Sequence, residues 1–225
     1  MSTDEVYGPT RAPAHREEDK VPGIGQATSA YAKSKSAADD LAVEMSSRFP
    51  VVVVRPTNCF GAWQHPEKAL PRWITRGLTG RRLPIWGDGL YVRQWLHVDD
   101  LGAAIRILLE APLTDRIYNV GPRHTPEITN VGLAEWIAGY LHLPPEVVFL
   151  TAYDRPDHDR RYAVDPSRIE ALGWRAGDPW ERFAATIEWY RNHREWWIPL
   201  LTEAESIYRD DRDASPVGVP AGAAG

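Results

Sequence analysis

Four consecutive valines, Val51 to Val54, set between Pro50 and Pro56, limit the fold of this chain more than any other stretch. An unbroken β-branched run offers no polar face to water, so it predicts a strand covered on both sides, as in a parallel sheet. Upstream, residues 30–48 place Ala37, Ala38, Leu41, Ala42 and Met45 at helical spacing and stop before Pro50. A helix leading into a doubly covered strand is half of a doubly wound unit, and the expected fold class is α/β. Ligands bind such sheets beyond the carboxyl ends of the strands, which here points to the stretch from Arg55 to Gly61.

The same reading predicts an extended piece at Leu83–Trp86 and strands at Tyr91–Val98 and Ile117–Gly121. Helices are expected near Leu70–Leu78, at Asp99–Glu110, at Asn130–Leu141 with Asn130 as cap, at Arg168–Leu172 and at Trp180–Trp197. Residues 1–8 read as a strand end and its turn, and Arg11–Gly25 as a surface loop. Residues 206–225 hold little to bury, and a disordered tail is expected.

Tyr31 and Lys35 stand four residues apart, on one face of the first helix. An ammonium beside a phenol favours the phenolate, which makes a general base near neutral pH. Ser2-Thr3-Asp4-Glu5-Val6-Tyr7-Gly8 adds a hydroxyl and two adjacent carboxyls where a strand ends. Each feature alone is commonplace: Tyr-x-x-x-Lys arises by chance on surface helices, and an Asp-Glu pair often sits in a solvated turn.

Together, Ser-Thr-Asp-Glu-Val-Tyr-Gly followed by Ser-x-Tyr-x-x-x-Lys resembles the extended short-chain dehydrogenase/reductase family, and within it the nucleotide-sugar 4,6-dehydratases. The resemblance implies a partial doubly wound (Rossmann-like) parallel sheet, with a smaller α+β substrate-binding region. Residues 1–61 and 93–121 would form the carboxyl-terminal half of an NAD-binding domain, and residues 62–92 and 122–205 the nucleotide-sugar region. The implied reaction oxidises the sugar at C4 with NAD, eliminates water across C5 and C6, and returns the hydride to C6. In that scheme Tyr31 is the base at the C4 hydroxyl, and Lys35 binds the nicotinamide ribose and lowers the phenol pKa. Thr3 hydrogen-bonds the C4 oxygen, Asp4 is the acid at C6 and Glu5 the base at C5. Cys59 stands near the nicotinamide, where the family often has asparagine.

The resemblance also carries Asn58, Lys68, Leu70, Pro84, Trp86 and Arg93 to the nucleotide-sugar pocket, with Trp86 stacking on the base and Arg93 pairing with the diphosphate. The string Asp-Arg-Pro-Asp-His-Asp-Arg-Arg-Tyr at 154–162 adds Arg155 and His158 as diphosphate partners, with Asp157 where the family has glycine. The implied substrate is dTDP-glucose and the implied assembly a homodimer through a bundle that includes the Tyr-Lys helix. The chain departs from the family in lacking the G-x-G-x-x-G strand, turn and helix that cradle a pyrophosphate. Only the catalytic and carboxyl-terminal part of the family pattern is expected, and an incomplete gene model or a fragment best accounts for it. Other readings are another NAD-dependent nucleotide-sugar epimerase or dehydratase, and a non-catalytic fragment that binds nucleotide sugar.

A single cysteine, Cys59, excludes an internal disulfide framework and any cysteine-based metal cluster. A formal net charge of -5 argues against general nucleic-acid binding. There is no apolar run of about 18 residues and no basic or apolar leader at the start, so neither a membrane span nor a secretory signal is expected. The expected location is cytoplasmic.

Overall fold

A computed structural model describes residues 1–10, 13–21, 23, 27, 29–153 and 159–208. In chain order its strands are β1 (Val53–Pro56), β2 (Asn58–Phe60), β3 (Leu83–Trp86), β4 (Trp95–His97), β5 (Ile117–Val120) and β6 (Val148–Thr151). Its α-helices are α1 (Ala30–Met45), α2 (Ala69–Leu78), α3 (Val98–Glu110), α4 (Asn130–Tyr140), α5 (Ser167–Glu170), α6 (Pro179–Asn192), α7 (Arg194–Trp197) and α8 (Leu201–Ser206). The chain divides into two units, one of Met1–Gly61, Tyr91–Ile128 and Pro156–Pro179, the other of Ala62–Leu90, Thr129–Arg155 and Trp180–Gly225.

In the first unit β1 pairs in parallel with β5, from Val53 opposite Ile117 to Pro56 opposite Val120. The chain then changes partner at Thr57, and β2 pairs in parallel with β4, from Asn58 opposite Trp95 to Phe60 opposite His97. Pro56, which has no N–H to give, stands where the first ladder ends. The stretch from Arg55 to Gly61, expected at the ligand-binding end of the valine strand, is therefore itself largely extended, and the strand proper starts only at Val53.

Val54, Leu96, Tyr118 and Val120 from these strands pack with Ala104 and Leu108 of α3 and with Ile169 and Trp174. The Trp174 indole N–H donates to the Asp100 carbonyl at 2.9 Å, and Val164 bridges to His15 while Arg161 bridges to Val92. These contacts draw residues 159–179 into the first unit, whereas the expected boundary placed all of 122–205 in the second.

Two expectations about the first unit are corrected. On α1 the buried residues are Ala32, Ser36 and Asp39, while Ala37, Ala38 and Leu41 face out. The inward face is polar because Asp39 meets a buried arginine and Ser36 donates to the Gly23 carbonyl. Within the expected surface loop, a short 3-10 helix at Glu17–Asp19 buries Glu17, whose carboxyl accepts the Asn119 N–H at 2.9 Å.

In the second unit β3 pairs in parallel with β6, from Leu83 opposite Val148 to Trp86 opposite Thr151. Helices α2 and α4 pack on β3, and Leu133 and Ile137 of α4 are fully buried. The cap of α4 is Thr129, whose hydroxyl oxygen accepts the Gly132 N–H at 3.1 Å, and not Asn130, the first helical residue. The single helix expected over 180–197 breaks at His193, where φ is -125° and ψ 44°. Tyr208, inside the expected tail, donates its hydroxyl to the Glu67 carbonyl and lies 3.7 Å below the Arg72 guanidinium. The rest of the expected tail, from 209 on, lies outside the described residues. Among the described residues no helix is long and apolar enough to cross a membrane.

Candidate active site

Thr3 is extended, with φ -160° and ψ 158°, and its side-chain oxygen accepts the Glu5 N–H as the cap of a one-turn 3-10 helix at Asp4–Tyr7. Gly8 ends that turn with φ 73°, a left-handed value that a side chain would oppose. The turn is held beside β1 by the Ser2 N–H, which donates to the Val54 carbonyl at 2.7 Å. Within it the Thr3 hydroxyl donates to Asp4 Oδ1 at 3.1 Å. The other carboxyl oxygen, Oδ2, is buried with no hydrogen-bond partner among the described residues, as are Ser2 Oγ and, on β2, Asn58 Oδ1.

Tyr31 sits in the first turn of α1, 53% exposed, packed beside the turn that carries Thr3. The Thr3 side chain contacts Asp4, and the Glu5 charge acts on both Asp4 and the Tyr31 phenol.

Burial first, and then the neighbouring Glu5 charge, push the Asp4 carboxyl up to about 7. Hydrogen bonding from Thr3 and the Arg93 charge oppose the shift without cancelling it. Near neutral pH this carboxyl holds a proton for a large part of the time. The Tyr31 phenol is also raised, by burial and by the Glu5 and Asp4 charges. The direction is opposite to the lowering expected from Lys35: the Lys35 ammonium donates to the Met1 carbonyl at 2.8 Å, while the largest charges acting on the phenol are the Glu5 and Asp4 carboxylates. Cys59 Sγ donates to the Thr57 carbonyl at 3.4 Å, and burial, then the Asp4 charge, push its thiol up to about 11. It is an inert thiol rather than a nucleophile.

The chain of residues 1–121, more than half of the whole, matches the model of the NAD dependent epimerase/dehydratase family. The chain belongs to this family. It is 41% identical over 208 residues to a dTDP-glucose 4,6-dehydratase of Streptomyces griseus, covering 89% of this chain and 60% of that protein. To the Arabidopsis thaliana trifunctional UDP-glucose 4,6-dehydratase/UDP-4-keto-6-deoxy-D-glucose 3,5-epimerase/UDP-4-keto-L-rhamnose-reductase RHM1 it is 32% identical, covering 88% of this chain and 29% of that one. The crystal structure of DesIV, a dTDP-glucose 4,6-dehydratase from Streptomyces venezuelae with NAD and TYD bound, superposes with a TM-score of 0.81 at 36% identity, covering 88% of this chain and 61% of that chain. The chain therefore spans about 60% of the length of the dTDP-glucose dehydratases it matches.

The remaining residues that the epimerase/dehydratase pattern suggested fall in both units. Arg93, buried in the first unit, donates to the carbonyls of Val92 at 2.7 Å, Asp159 at 2.8 Å and Arg160 at 3.4 Å. Its guanidinium lies 4.6 Å from the Tyr162 ring centroid. The expected diphosphate partner thus anchors the 159–160 backbone here, because a buried guanidinium must satisfy its donors within the protein. In the second unit the Lys68 ammonium pairs with Glu67 at 2.8 Å, Leu70 is a core residue at 1% exposure, and the Pro84 carbonyl accepts the Trp73 indole N–H at 2.9 Å. Leu70 and Pro84 pack the unit rather than offer side chains to a ligand. Trp86 is half-buried and meets the Tyr153 ring edge-on at 5.1 Å. Arg155 and His158 lie outside the described residues.

Sequence reasoning missed Arg55, Asp39, Tyr7 and Asn119, four buried polar residues. A signal was there to find. An arginine that directly continues a doubly covered valine strand has to be buried, and Asp39 repeats the Tyr31 and Lys35 positions two turns and one turn further along α1.

Proposed function

We propose that this chain carries the proton-handling and nucleotide-sugar part of an NAD-dependent dTDP-glucose 4,6-dehydratase. The observation that carries the reading is the Asp4 carboxyl, raised to about 7, bonded through one oxygen to the Thr3 hydroxyl and with the other buried and unpartnered. An acid held half-protonated at neutral pH, with a free oxygen in a polar site, suits the departure of a hydroxyl group.

In this reading Thr3 hydrogen-bonds the C4 oxygen of the sugar and Tyr31 takes the C4 hydroxyl proton. Glu5 removes the proton from C5, and Asp4 delivers one to the leaving C6 hydroxyl. The carboxylate and the carboxylic acid divide the elimination because Glu5 beside Asp4 disfavours a second charge there. The unpartnered buried oxygens of Ser2 and Asn58 leave donors or acceptors for a polar ligand at the strand ends, so the residues fit a nicotinamide cofactor. Tyr31, Lys35 and Cys59 are the residues that would hold it. When bound, NAD takes the hydride from C4 and gives it back at C6.

Trp86 is assigned to the base of the nucleotide, and Lys68, Arg155 and His158 to its sugar and diphosphate. A homodimer and a cytoplasmic location accompany the reading. To test it, the amino-terminal part of the Streptomyces griseus relative is joined ahead of Met1 and the product is given NAD with dTDP-glucose or UDP-glucose. Formation of a 4-keto-6-deoxy sugar nucleotide from dTDP-glucose is the expected result. A folded, NAD-loaded protein that turns over UDP-glucose alone, or neither sugar, contradicts it.

A further inference from the structure

The two elements that carry the candidate active site are not neighbours in sequence, and one buried cation touches both. Arg55 of β1 is 2% exposed. Its Nε and Nη2 donate to Asp39 Oδ1 at 3.0 Å and Oδ2 at 2.7 Å, a two-pronged contact with α1. Its Nη1 donates to the Tyr7 hydroxyl at 2.6 Å and to the Glu17 carbonyl at 3.0 Å. The Tyr7 hydroxyl in turn donates to Asn119 Oδ1 on β5 at 2.7 Å, so its one proton and one lone pair are both committed.

We propose that Arg55 is a positioning residue that sets the Tyr31 phenol against Thr3, Asp4 and Glu5, by holding Asp39 of the Tyr31 helix and Tyr7 of the acidic turn on one planar guanidinium. The levers are short and stiff. Asp39 lies one helical turn beyond Lys35 and two beyond Tyr31 on α1. Tyr7 closes the one-turn 3-10 helix that begins at Asp4, and residues three apart in such a helix are eclipsed. The fork of Arg fixes angle as well as distance, which a lysine at the same place does not.

Stability alone does not account for this arrangement. A buried ion pair recovers little more than its own desolvation, and a well-packed apolar replacement is often as stable. Orientation is what an apolar replacement would not supply, and displacement of a reacting group by about 1 Å is enough to cost roughly a hundredfold in rate. The assignment of roles to Thr3, Asp4, Glu5 and Tyr31 rests on the proposed dehydratase reading; the clamp itself is tested without turnover.

The measurement is the titration midpoint of the Asp4 carboxyl, followed by carbon-13 NMR on the chain itself in Tyr7→Phe and Arg55→Lys. The charged and titratable groups facing Asp4 are Glu5 on its own turn, Arg93, the Tyr31 phenol of α1 and Cys59 of β2; none of them is altered. Loosening the turn admits water, so the midpoint falls by about one pH unit or more from its parent value in both variants. Leu108→Ala, which cuts the same unit's core on α3, lowers the melting temperature and leaves the midpoint in place. If Arg55→Lys does not fold, Tyr7→Phe decides, since it removes a single oxygen. The proposal is overturned if folded Tyr7→Phe titrates Asp4 at the parent midpoint, or if Leu108→Ala moves the midpoint as far. In the joined enzyme that makes product, Arg55→Lys lowers kcat about a hundredfold at nearly unchanged KM. An unproductive joined enzyme counts against the dehydratase reading and leaves the NMR result to judge the clamp.

Discussion

The Thr3 hydroxyl donates to Asp4 Oδ1 at 3.1 Å, and this one bond joins the capping residue of the acidic turn to its buried acid. The same hydroxyl oxygen accepts the Glu5 N–H, so the side chain that caps the turn also holds its buried carboxyl.

Asp4 is only 4% exposed, and its folded-state pKa, about 7, lies above the ordinary aspartate value of 3.8. A raised acid favours the folded state fully below its unfolded pKa, and that contribution is lost as pH rises through the folded value. Asp4→Asn is therefore expected to leave the melting temperature nearly unchanged at pH 4 and to raise it at pH 8. The gain corresponds to roughly 4 kcal/mol, since each tenfold change in proton affinity is worth about 1.4 kcal/mol. Calorimetric scans at the two pH values check this, and equal effects at both contradict it.

Arg93 lowers the Asp4 pKa while burial raises it. Arg93→Gln should move the Asp4 midpoint upward, opposite in sign to the loosening variants of the acidic turn. It should also destabilise the chain by roughly 3 kcal/mol, because three backbone carbonyls lose a charged donor. Carbon-13 titration and chemical unfolding read the two effects separately.

Cys59 offers a chemical probe of the same site. With its thiol at about 11, alkylation by iodoacetamide should be slow at pH 8 and accelerate only as pH approaches that value. Fast modification at pH 7 would show that the thiol is not desolvated as described.

For the second unit, Trp86→Ala should weaken dTDP binding roughly tenfold, the usual scale for losing one base–aromatic stack. Trp86→Phe should retain most of the affinity. Titration calorimetry distinguishes the two, and equal affinities for all three proteins would remove Trp86 from the base site.

The parts of the fold that were legible in the sequence are those that obey a simple period. The valine run gave a buried parallel strand, and α2, α3 and α4 were placed within a residue or two. Periodicity misled on α1, where Ala37, Ala38 and Leu41 look like a core stripe but the inward position is filled by Asp39. A polar residue wins that face only because Arg55 is there to receive it, which no helical pattern records. The switch of partner at Thr57 was hidden for a similar reason: β2 is extended because β4 lies beside it, a relation 37 residues away from Asn58 to Trp95. The turn at the start of the chain was legible because Thr3, Asp4 and Glu5 are adjacent and Gly8 ends it. The sense of the Tyr31 shift was not, since the distance from the phenol to each charge depends on how the helix is docked on the turn.

In the proposed reaction one phenol and two neighbouring carboxyls share out the protons of a sugar losing water, with Glu5 acting at C5. This is tested by exchange of the C5 hydrogen with solvent deuterium in the joined enzyme carrying Glu5→Gln, read by NMR on dTDP-glucose during turnover. C4 oxidation is expected to persist while C5 exchange falls by about a hundredfold or more. Exchange at the parent rate would contradict it.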